Sequence, residues 1–526
     1  PKPIPIPKPI PIPKPIPIPK PIPIPKPIPI PKPIPIPKPI PIPISHAMFR
    51  SFILSAALLA VPSLGFGDSK HPQPNIVLVV ADDLGWNDVS YHGGPIRTPN
   101  IDKFVSSGVE LDRFYVCPFC SPTRAGLLTG RYPQRFGMHG SPLQYAQTKG
   151  LPPSEVTIAE SLRDAGYDRR MAIGKWHLGN SSVQFHPLRQ GFTSFYGHYC
   201  GMIGFFDHTR GGEVDWHRDY EPLEEKGYST DLLAAEAVRQ IEANAKRKKP
   251  FFLYVAFNAV HTPIQAKPDD VQAVESDFLK AKSSPRKRDS SPSRPVDAEG
   301  EKLNWKDGWG GTGLGRNQKF FAMTKSLDDA IGDILRALNR SGIEENTLVW
   351  FLSDNGGTTN NYPLRGRKGR RWEGGVRVPA AVRWPKRFRS AFQLQEPVAY
   401  LDVLPTILAA AQAKLPVEKA IDGRNVLKLL SKEAPRLPDR GLYLGKGAVA
   451  FRRWKLVGEE LFDVLKDPRE MTNVAAEHPS IVARLQRELR SLEALTGPPC
   501  QPNAERQTPP KRWRMRELEV NDPNAP

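Results

Sequence analysis

The sequence predicts an α/β fold, in which a large, mostly parallel β-sheet flanked by helices precedes a smaller C-terminal α+β domain. Three runs of β-branched and aromatic residues, 75–80, 251–257 and 347–352, have the length and composition of buried strands. Between the last two runs, apolar side chains recur at three- and four-residue steps from Phe320 to Leu338, which indicates an amphipathic helix. Strands that alternate with helices in this way favour a parallel sheet covered by helices.

The composition is that of a large globular protein and excludes two other classes. Of the 526 residues, 39% are hydrophobic and 9% aromatic, which is enough for a sizeable core and excludes a disordered chain. Four cysteines are too few for a small domain held together by disulfides. The net charge of +19 suggests nucleic acid, but part of the excess comes from lysines in an N-terminal repeat, so we expect no nucleic-acid partner.

Two N-terminal segments are predicted to lie outside the folded body. Residues 1–47 are a PKPIPI repeat followed by Ser-His-Ala, which resembles an expression scar. Alternating proline removes every second backbone donor, so this segment should be extended or disordered. Residues 48–67 combine one positive charge, an apolar run and terminal small residues, the pattern of a secretory signal peptide. We therefore expect an exported protein, periplasmic or secreted, without a stable membrane anchor.

Changes in composition predict further boundaries along the chain. The α/β domain is expected to span residues 68–415, with a basic, Ser/Pro-rich insertion at 282–295. Residues 416–497 contain shorter apolar runs, one of them a predicted strand at 448–457, and a terminal helical pattern, which together predict the smaller α+β domain. No structure is assigned to the Pro-rich basic tail, 498–526.

Polar residues follow each of the three predicted strands. Asp82 and Asp83 follow the first strand, His261 the second, and Asp354 and Asn355 the third. In an open α/β sheet, ligands bind beyond the carboxyl ends of the strands, so we expect these residues to share one site. An Asp-Asp pair alone is more often a turn or a helix cap, so the expectation depends on all three clusters together.

A cysteine pair, Cys117 and Cys120, precedes a predicted helix. Two cysteines at this spacing occur in redox motifs and zinc sites, but the chain has no second pair that would complete a zinc site. The stronger interpretation places Cys120 at the positive N-terminal end of the helix, with Arg124 one turn further on, where an anion is favoured.

These residues carry a resemblance to a known family. The segment 120–124, Cys-Ser-Pro-Thr-Arg, and the following Leu-Thr-Gly-Arg resemble the signature of the formylglycine-dependent sulfatases, in the alkaline phosphatase-like superfamily. The similarity continues through Gly-Lys-Trp-His-Leu-Gly at 174–179 and Leu-Arg-Gly-Arg-Lys at 364–368. The latter motif and Trp-Glu-Gly-Gly-Val-Arg at 372–377 are most similar to the arylsulfatase B branch. The resemblance implies an alkaline phosphatase-like fold, with residues 68–415 as the catalytic domain.

In that family a generating enzyme oxidises the cysteine to formylglycine, whose hydrated aldehyde is the nucleophile. The resemblance therefore implies formylglycine at position 120 and one Ca²⁺ per chain. Carboxylate and amide oxygens are ligands that calcium prefers. The implied metal ligands are Asp82, Asp83, Cys120 after conversion, Asp354 and Asn355. The implied catalytic residues are Cys120, Arg124, Lys175, His177, His261 and Lys368.

Chemical reasoning suggests a role for each cation and histidine. Arg124, Lys175 and Lys368 can hold the hydrate and neutralise the sulfate oxygens. His261 is the expected acid that protonates the leaving oxygen. His177 is expected to hold the hydrate and then take its second proton, which expels sulfate and restores the aldehyde.

The predicted function is hydrolysis of a sulfate ester on a sulfated sugar. The arylsulfatase B branch, whose animal member removes 4-sulfate from N-acetylgalactosamine, suggests 4-sulfated N-acetylgalactosamine or galactose. A dense run of cations beside Trp372, which offers an apolar platform for a sugar ring, suggests a sulfated oligosaccharide or polysaccharide as the partner. The cations are Arg365, Arg367, Lys368, Arg370 and Arg371.

Two alternatives remain open at this point. The chain would be a catalytically silent glycan-binding protein if Cys120 were not converted, for example because of a disulfide with Cys117. The second alternative is a phosphoester hydrolase of the same superfamily. Relatives of that kind with two metals usually place histidine where Asn355 stands, which favours the sulfatase.

Overall fold

The computed structural model describes residues 72–145, 147–283, 313–358 and 361–498. The predicted N-terminal arm and signal peptide lie outside these ranges, as do the basic insertion after residue 283 and the tail after residue 498. Within the ranges, no helix has both the length and the apolar character needed to cross a membrane.

The described ranges contain strands β1–β18 and α-helices α1–α10. The strands are Asn75–Ala81, Val109–Leu111, Phe114–Tyr115, Arg169–Lys175, Ser194–His198, Thr209–Arg210, Glu213–Val214, His217–Arg218, Glu221–Pro222, Phe251–Ala256, Thr347–Ser353, Ala380–Arg383, Phe392–Leu394, Val398–Ala399, Leu442–Tyr443, Ala448–Phe451, Trp454–Val457 and Glu460–Asp463. The helices are Pro99–Ser106, Cys120–Thr129, Ile158–Arg163, Ser229–Ala245, Pro268–Ser283, Gly313–Arg340, Glu373–Val376, Val403–Ala410, Leu427–Leu430 and Pro479–Glu493.

The large sheet has ten strands in the order β13-β2-β12-β11-β1-β10-β4-β5-β8-β9. Strands β11, β1, β10, β4 and β5 are neighbours and all parallel, while β12 and β8 add antiparallel partners on either side. The predicted α/β fold with a mostly parallel sheet is confirmed. The three strands predicted from the sequence lie next to each other as β11, β1 and β10, so their carboxyl ends reach the same edge.

Both faces of the sheet are buried, which explains why the central strands are apolar throughout. Successive side chains of a strand point to opposite faces. Ile76 and Leu78 therefore belong to one hydrophobic cluster, and Val77 and Val79 belong to the other. Helix α6, whose apolar side chains include Leu327, packs in the second cluster beside α4. A sheet covered on both sides holds its strand ends, and the residues that follow them, in fixed positions.

The C-terminal part contains a four-stranded antiparallel sheet, β15–β18, and helix α10. The single strand predicted at 448–457 is wrong, because the chain turns at Arg452, which has a φ of 52°, and forms β16 and β17 instead. Apolar side chains of this sheet and of α10, such as Leu456 and Leu485, join the same cluster as Leu78 of the large sheet.

A buried ion cluster joins the small sheet to the large domain. Lys455 Nζ, on β17, lies 2.9 Å from Oε1 of Glu373, at the start of α7, and 2.9 Å from Oε1 of Glu470. All three side chains are buried. Burial alone would lower the pKa of Lys455, but the two carboxylates outweigh it and raise that pKa above its usual value.

We expect Lys455→Met to lower the free energy of unfolding by about 3–5 kcal/mol, because the side chain keeps its apolar stem but leaves the buried Glu470 without a cation and Glu373 with only Arg377, 3.5 Å away. Urea unfolding followed by tryptophan fluorescence measures the change. Lys446→Met is the control, since Lys446 is exposed on the turn before β16 and its replacement should change stability by less than about 0.5 kcal/mol. Equal stability of the two variants would contradict this account of the cluster.

Candidate active site

The predicted site residues meet at the carboxyl ends of four neighbouring parallel strands. Asp82 follows β1, Asp354 follows β11, Lys175 is the last residue of β4, and His261 lies in the loop after β10. Gly174 allows β4 to approach β10 at this point, because a Cβ there would lie 1.9 Å from the Ala256 carbonyl oxygen. All ten residues expected from the sequence lie in this site, where hydrogen bonds and ion pairs connect them.

The centre of the site contains oxygen atoms that suit a metal ion. Ligand atoms of Asp82, Asp83 and His261 all lie within 4.8 Å of one another. The amide of Asn355 donates from Nδ2 to Asp83 Oδ1 at 2.7 Å, which leaves its own Oδ1 as an acceptor. Asp82 Oδ1 and Asn355 Oδ1 are both buried and have no hydrogen-bond partner among the described residues. Because an unsatisfied buried acceptor is costly, these oxygens fit a bound cation.

Each of three buried carboxylates has its own cation. Lys175 Nζ lies 2.5 Å from Asp82 Oδ2, and Lys368 Nζ lies 2.6 Å from Asp83 Oδ1. Arg124 approaches Asp354 Oδ2 with both Nε and Nη2, each at 2.8 Å, and donates from Nη1 to the Lys175 carbonyl. The carboxylates and cations balance in number, so burial of the cluster is tolerated.

The two carboxyl groups nearest the strand ends differ in their proton affinity. Burial alone would raise the pKa of Asp82, but Lys175 and the other nearby cations outweigh it and lower that pKa below its usual range. Burial and repulsion from Asp82 raise the pKa of Asp354 to about 6, although Arg124 opposes them. A cation that neutralises Asp82 would therefore also favour ionised Asp354.

Cys120 is the first residue of α2 and faces His177. Its Sγ lies 3.3 Å from His177 Nδ1, while His177 Nε2 lies 2.8 Å from the Leu143 carbonyl oxygen. A carbonyl oxygen can only accept, so Nε2 carries the hydrogen and Nδ1 presents its lone pair to residue 120. Burial and the charge of Lys175 lower the pKa of His177 well below its usual value, so the ring is neutral. Gly201 packs against the ring, where a Cβ would lie 2.5 Å from Cε1.

Cys117 is separate from this contact. Its Sγ donates to the Tyr400 hydroxyl at 3.1 Å, and burial raises its pKa to about 12. The cysteines of the described ranges, Cys117, Cys120 and Cys200, are all free thiols. The disulfide considered from the sequence is therefore not formed, because Cys117 contacts Tyr400 and Cys120 contacts His177.

His261 and Lys368 mark the side of the site that is open to solvent. Each side chain is 15% exposed, whereas the side chains of Asp82, Arg124 and Lys175 are fully buried. His261 Nδ1 lies 2.8 Å from the Thr262 carbonyl oxygen, and Nε2 lies 3.6 Å from Asp83 Oδ2.

The predicted run of cations divides into two groups. Arg365 lies over the Trp372 ring at 3.6 Å and donates to the Glu470 carbonyl oxygen, and Phe462 packs edge-on against the same ring. One face of the Trp372 ring is therefore covered by Arg365, so that face is closed to the sugar ring expected there. Lys368 points into the site, as described above. The remaining cations are exposed and have no ion-pair partner in the described part of the chain; they are Arg367, Arg370 and Arg371.

Sequence reasoning missed two groups that arrange the site. The Leu143 carbonyl sets the proton position on His177, but a backbone atom leaves no signal in residue type. The buried amide of Asn361 contacts three backbone segments of the site, in the loop after β1 and in the loop between β11 and α7. Its position shortly before the Leu-Arg-Gly-Arg-Lys motif at 364–368 was the available signal.

Comparisons with known proteins agree with this geometry. A family model described as Sulfatase matches residues 74–413. Arylsulfatase J of Mus musculus is 30% identical over 390 residues, covering 70% of this chain and 58% of its own length. N-acetylgalactosamine-6-sulfatase of Homo sapiens is 33% identical over 413 residues, covering 73% of this chain and 70% of its own length. The solved structure of Ps i-CgsB with k-i-k-neocarrahexaose has a TM-score of 0.68 and 30% identity, covering 81% of this chain and 94% of that one.

Proposed function

This chain belongs to the sulfatase family of sulfuric ester hydrolases, and from that premise we propose that it removes sulfate from a sulfated sugar. The nucleophile in this proposal is the hydrate of a formylglycine formed from Cys120 by a generating enzyme. The observation that carries the proposal is the position of Cys120, which faces a neutral His177 beside the buried cations Arg124 and Lys175.

We propose that one calcium ion is held by Asp82, Asp83, Asp354, Asn355 and the converted residue 120. The unpartnered buried oxygens of Asp82 and Asn355 support this choice, and their hard oxygen character favours calcium over zinc. When bound, the ion supplies Lewis acidity toward a sulfate oxygen.

The cations of the site are proposed to bind the sulfate group. Burial raises the pKa of the Cys120 thiol, and the charges of Lys175 and Lys368 oppose that rise. They therefore also act on a sulfate that lies against residue 120. Arg124 holds the Lys175 carbonyl and Asp354, which fixes the base of the cluster.

The two histidines are proposed to move protons on opposite sides of the sulfur. His177 presents the lone pair of Nδ1 to residue 120 and can accept a proton from it. His261 holds its Nδ1 against the Thr262 carbonyl, so Nε2 is the atom that gains and donates a proton. Asp83 Oδ2 lies 3.6 Å from this Nε2, and the open side next to His261 suits a departing sugar oxygen.

The proposed substrate is a sulfated oligosaccharide or polysaccharide with 4-sulfated N-acetylgalactosamine or galactose units. Two relatives support a sugar: one is named N-acetylgalactosamine-6-sulfatase, and the other was solved with k-i-k-neocarrahexaose. Position 4 is proposed from the similarity of residues 364–368 to the arylsulfatase B branch. The apolar segment 48–67 supports export of the protein.

Cys120→Ala should abolish sulfate-ester hydrolysis, with a loss in kcat on the order of 10⁶, because the nucleophile is removed. Cys117→Ala is the matched control, since it removes a buried thiol three residues away that does not contact His177. Mass spectrometry of the tryptic peptide 114–124 should detect formylglycine, which is lighter than cysteine. Activity like that of the wild type in purified Cys120→Ala protein would end the formylglycine proposal.

Asp82→Asn should remove an anionic ligand, so the calcium content should fall from about one ion per chain and activity should fall with it. Elemental analysis of protein dialysed against trace-metal-free buffer measures the content. Asp463→Asn serves as the control, because Asp463 pairs with Arg453 in the small sheet and its loss should leave calcium in place. Stoichiometric zinc in the native protein would instead favour a phosphoester hydrolase.

Replacing Arg367, Arg370 and Arg371 together by alanine should lower kcat/KM for a sulfated oligosaccharide while sparing a small aryl sulfate. Exposed charges within a Debye length of about 10 Å at 0.1 M salt attract further sulfates of the polymer, so the preference should also weaken at high salt. A control with equal charge change replaces Arg484, Arg487 and Arg490, which are exposed on α10. Preference for the aryl sulfate at both salt concentrations would reject the glycan substrate but not the sulfatase.

A further inference from the structure

A single buried amide, that of Asn361, occupies the junction of the loop after β1 and two segments of the loop between β11 and α7. Its side-chain Oδ1 accepts from the backbone N–H of Trp86 at 3.2 Å and of Gly357 at 3.0 Å. Its Nδ2 donates to the carbonyl of Gly357 at 3.1 Å and of Gly366 at 3.2 Å. Both halves of the amide are therefore engaged with backbone, and the residue is 1% exposed.

Each of these backbone contacts belongs to a segment that carries a proposed functional residue. Trp86 follows Asp83 in the loop after β1, Gly357 follows Asn355 in the loop after β11, and Gly366 precedes Lys368. The functional side chains meet on one atom, because Asn355 Nδ2 and Lys368 Nζ both contact Asp83 Oδ1, at 2.7 and 2.6 Å. The three segments are thus joined twice, once by their functional side chains and once by Asn361.

The junction has no room for a larger or displaced side chain. A Cβ on Gly85 would lie 2.4 Å from Asn361 Oδ1, and a Cβ on Gly374 would lie 3.0 Å from the Asn361 Cβ. Among side chains of this length, only the amide of asparagine has two N–H donors and an oxygen that accepts two hydrogen bonds. Aspartate lacks both donors, and leucine lacks all the polar atoms.

We propose that Asn361 is a positioning residue that sets the spacing of Asp83, Asn355 and Lys368, and thereby both calcium affinity and sulfate binding. This inference rests on the proposed function of the site. The side-chain amide of Asn361 bonds to backbone atoms of Trp86, Gly357 and Gly366, so its effect is exerted through the backbone of these three segments.

The test is calcium titration calorimetry on protein stripped with EDTA, comparing wild type with Asn361→Ala. We expect the Kd for calcium to weaken by about 10- to 100-fold, as for other residues that orient metal ligands. At saturating calcium the KM for a sulfate ester should stay raised, because the segment that carries Lys368 has also lost its hydrogen bond from Asn361 to Gly366. Asn244→Ala is the control, since Asn244 is buried in α4 and donates to a backbone carbonyl there.

A second measurement uses only the wild-type protein and tests the inference if Asn361→Ala does not fold. Amide hydrogen exchange of the wild-type protein, with and without calcium, should show segments 84–88, 355–358 and 361–368 losing protection together when calcium is removed. Loss of protection in only one segment, or a Kd within two-fold of wild type in the folded variant, would overturn the inference. If the wild type binds no calcium and hydrolyses no sulfate ester, the proposed function fails instead.

Discussion

The structure depends on the pairing of three buried carboxylates with three cations at the end of the central sheet. Asp82, Asp83 and Asp354 leave water when the chain folds, and an unpaired buried charge costs several kcal/mol. Their partners come from different segments, so each segment is held in place by the charge of another. The cluster is close to neutral as it stands. A sulfate ester therefore enters more favourably with additional positive charge, which the proposed calcium ion would supply.

The strands and the polar residues that follow them were predictable, because they depend on patterns within short stretches of the sequence. Strands β1, β10 and β11 agree with the sequence within one residue, because strands buried on both faces are continuous apolar runs. The polar residues that follow these strands were expected at one edge because ligands of an open α/β sheet bind beyond the carboxyl ends of its strands. The prediction failed at 448–457, where two arginines at a turn lie between apolar residues and do not interrupt the apolar pattern.

Contacts between distant segments could not be predicted from one sequence. Cys117 pairs with Tyr400, which lies 283 positions away, so the apparent Cys117–Cys120 motif gave a misleading hint of a disulfide. Arg365 and Trp372 are close in sequence, but their stacking also depends on Phe462 and the Glu470 carbonyl from the C-terminal part. The charge pattern was visible in the sequence, whereas the division of the cations between the core and the surface required the fold.

The backbone carbonyl of Leu143 has an evolutionary consequence. It fixes which nitrogen of His177 faces residue 120, yet every amino acid carries the same carbonyl. A substitution at 143 therefore leaves this acceptor in place, provided that the new side chain still packs against the core as Leu143 does. Insertions or deletions between 140 and 150, rather than substitutions, are the changes that evolution should avoid here.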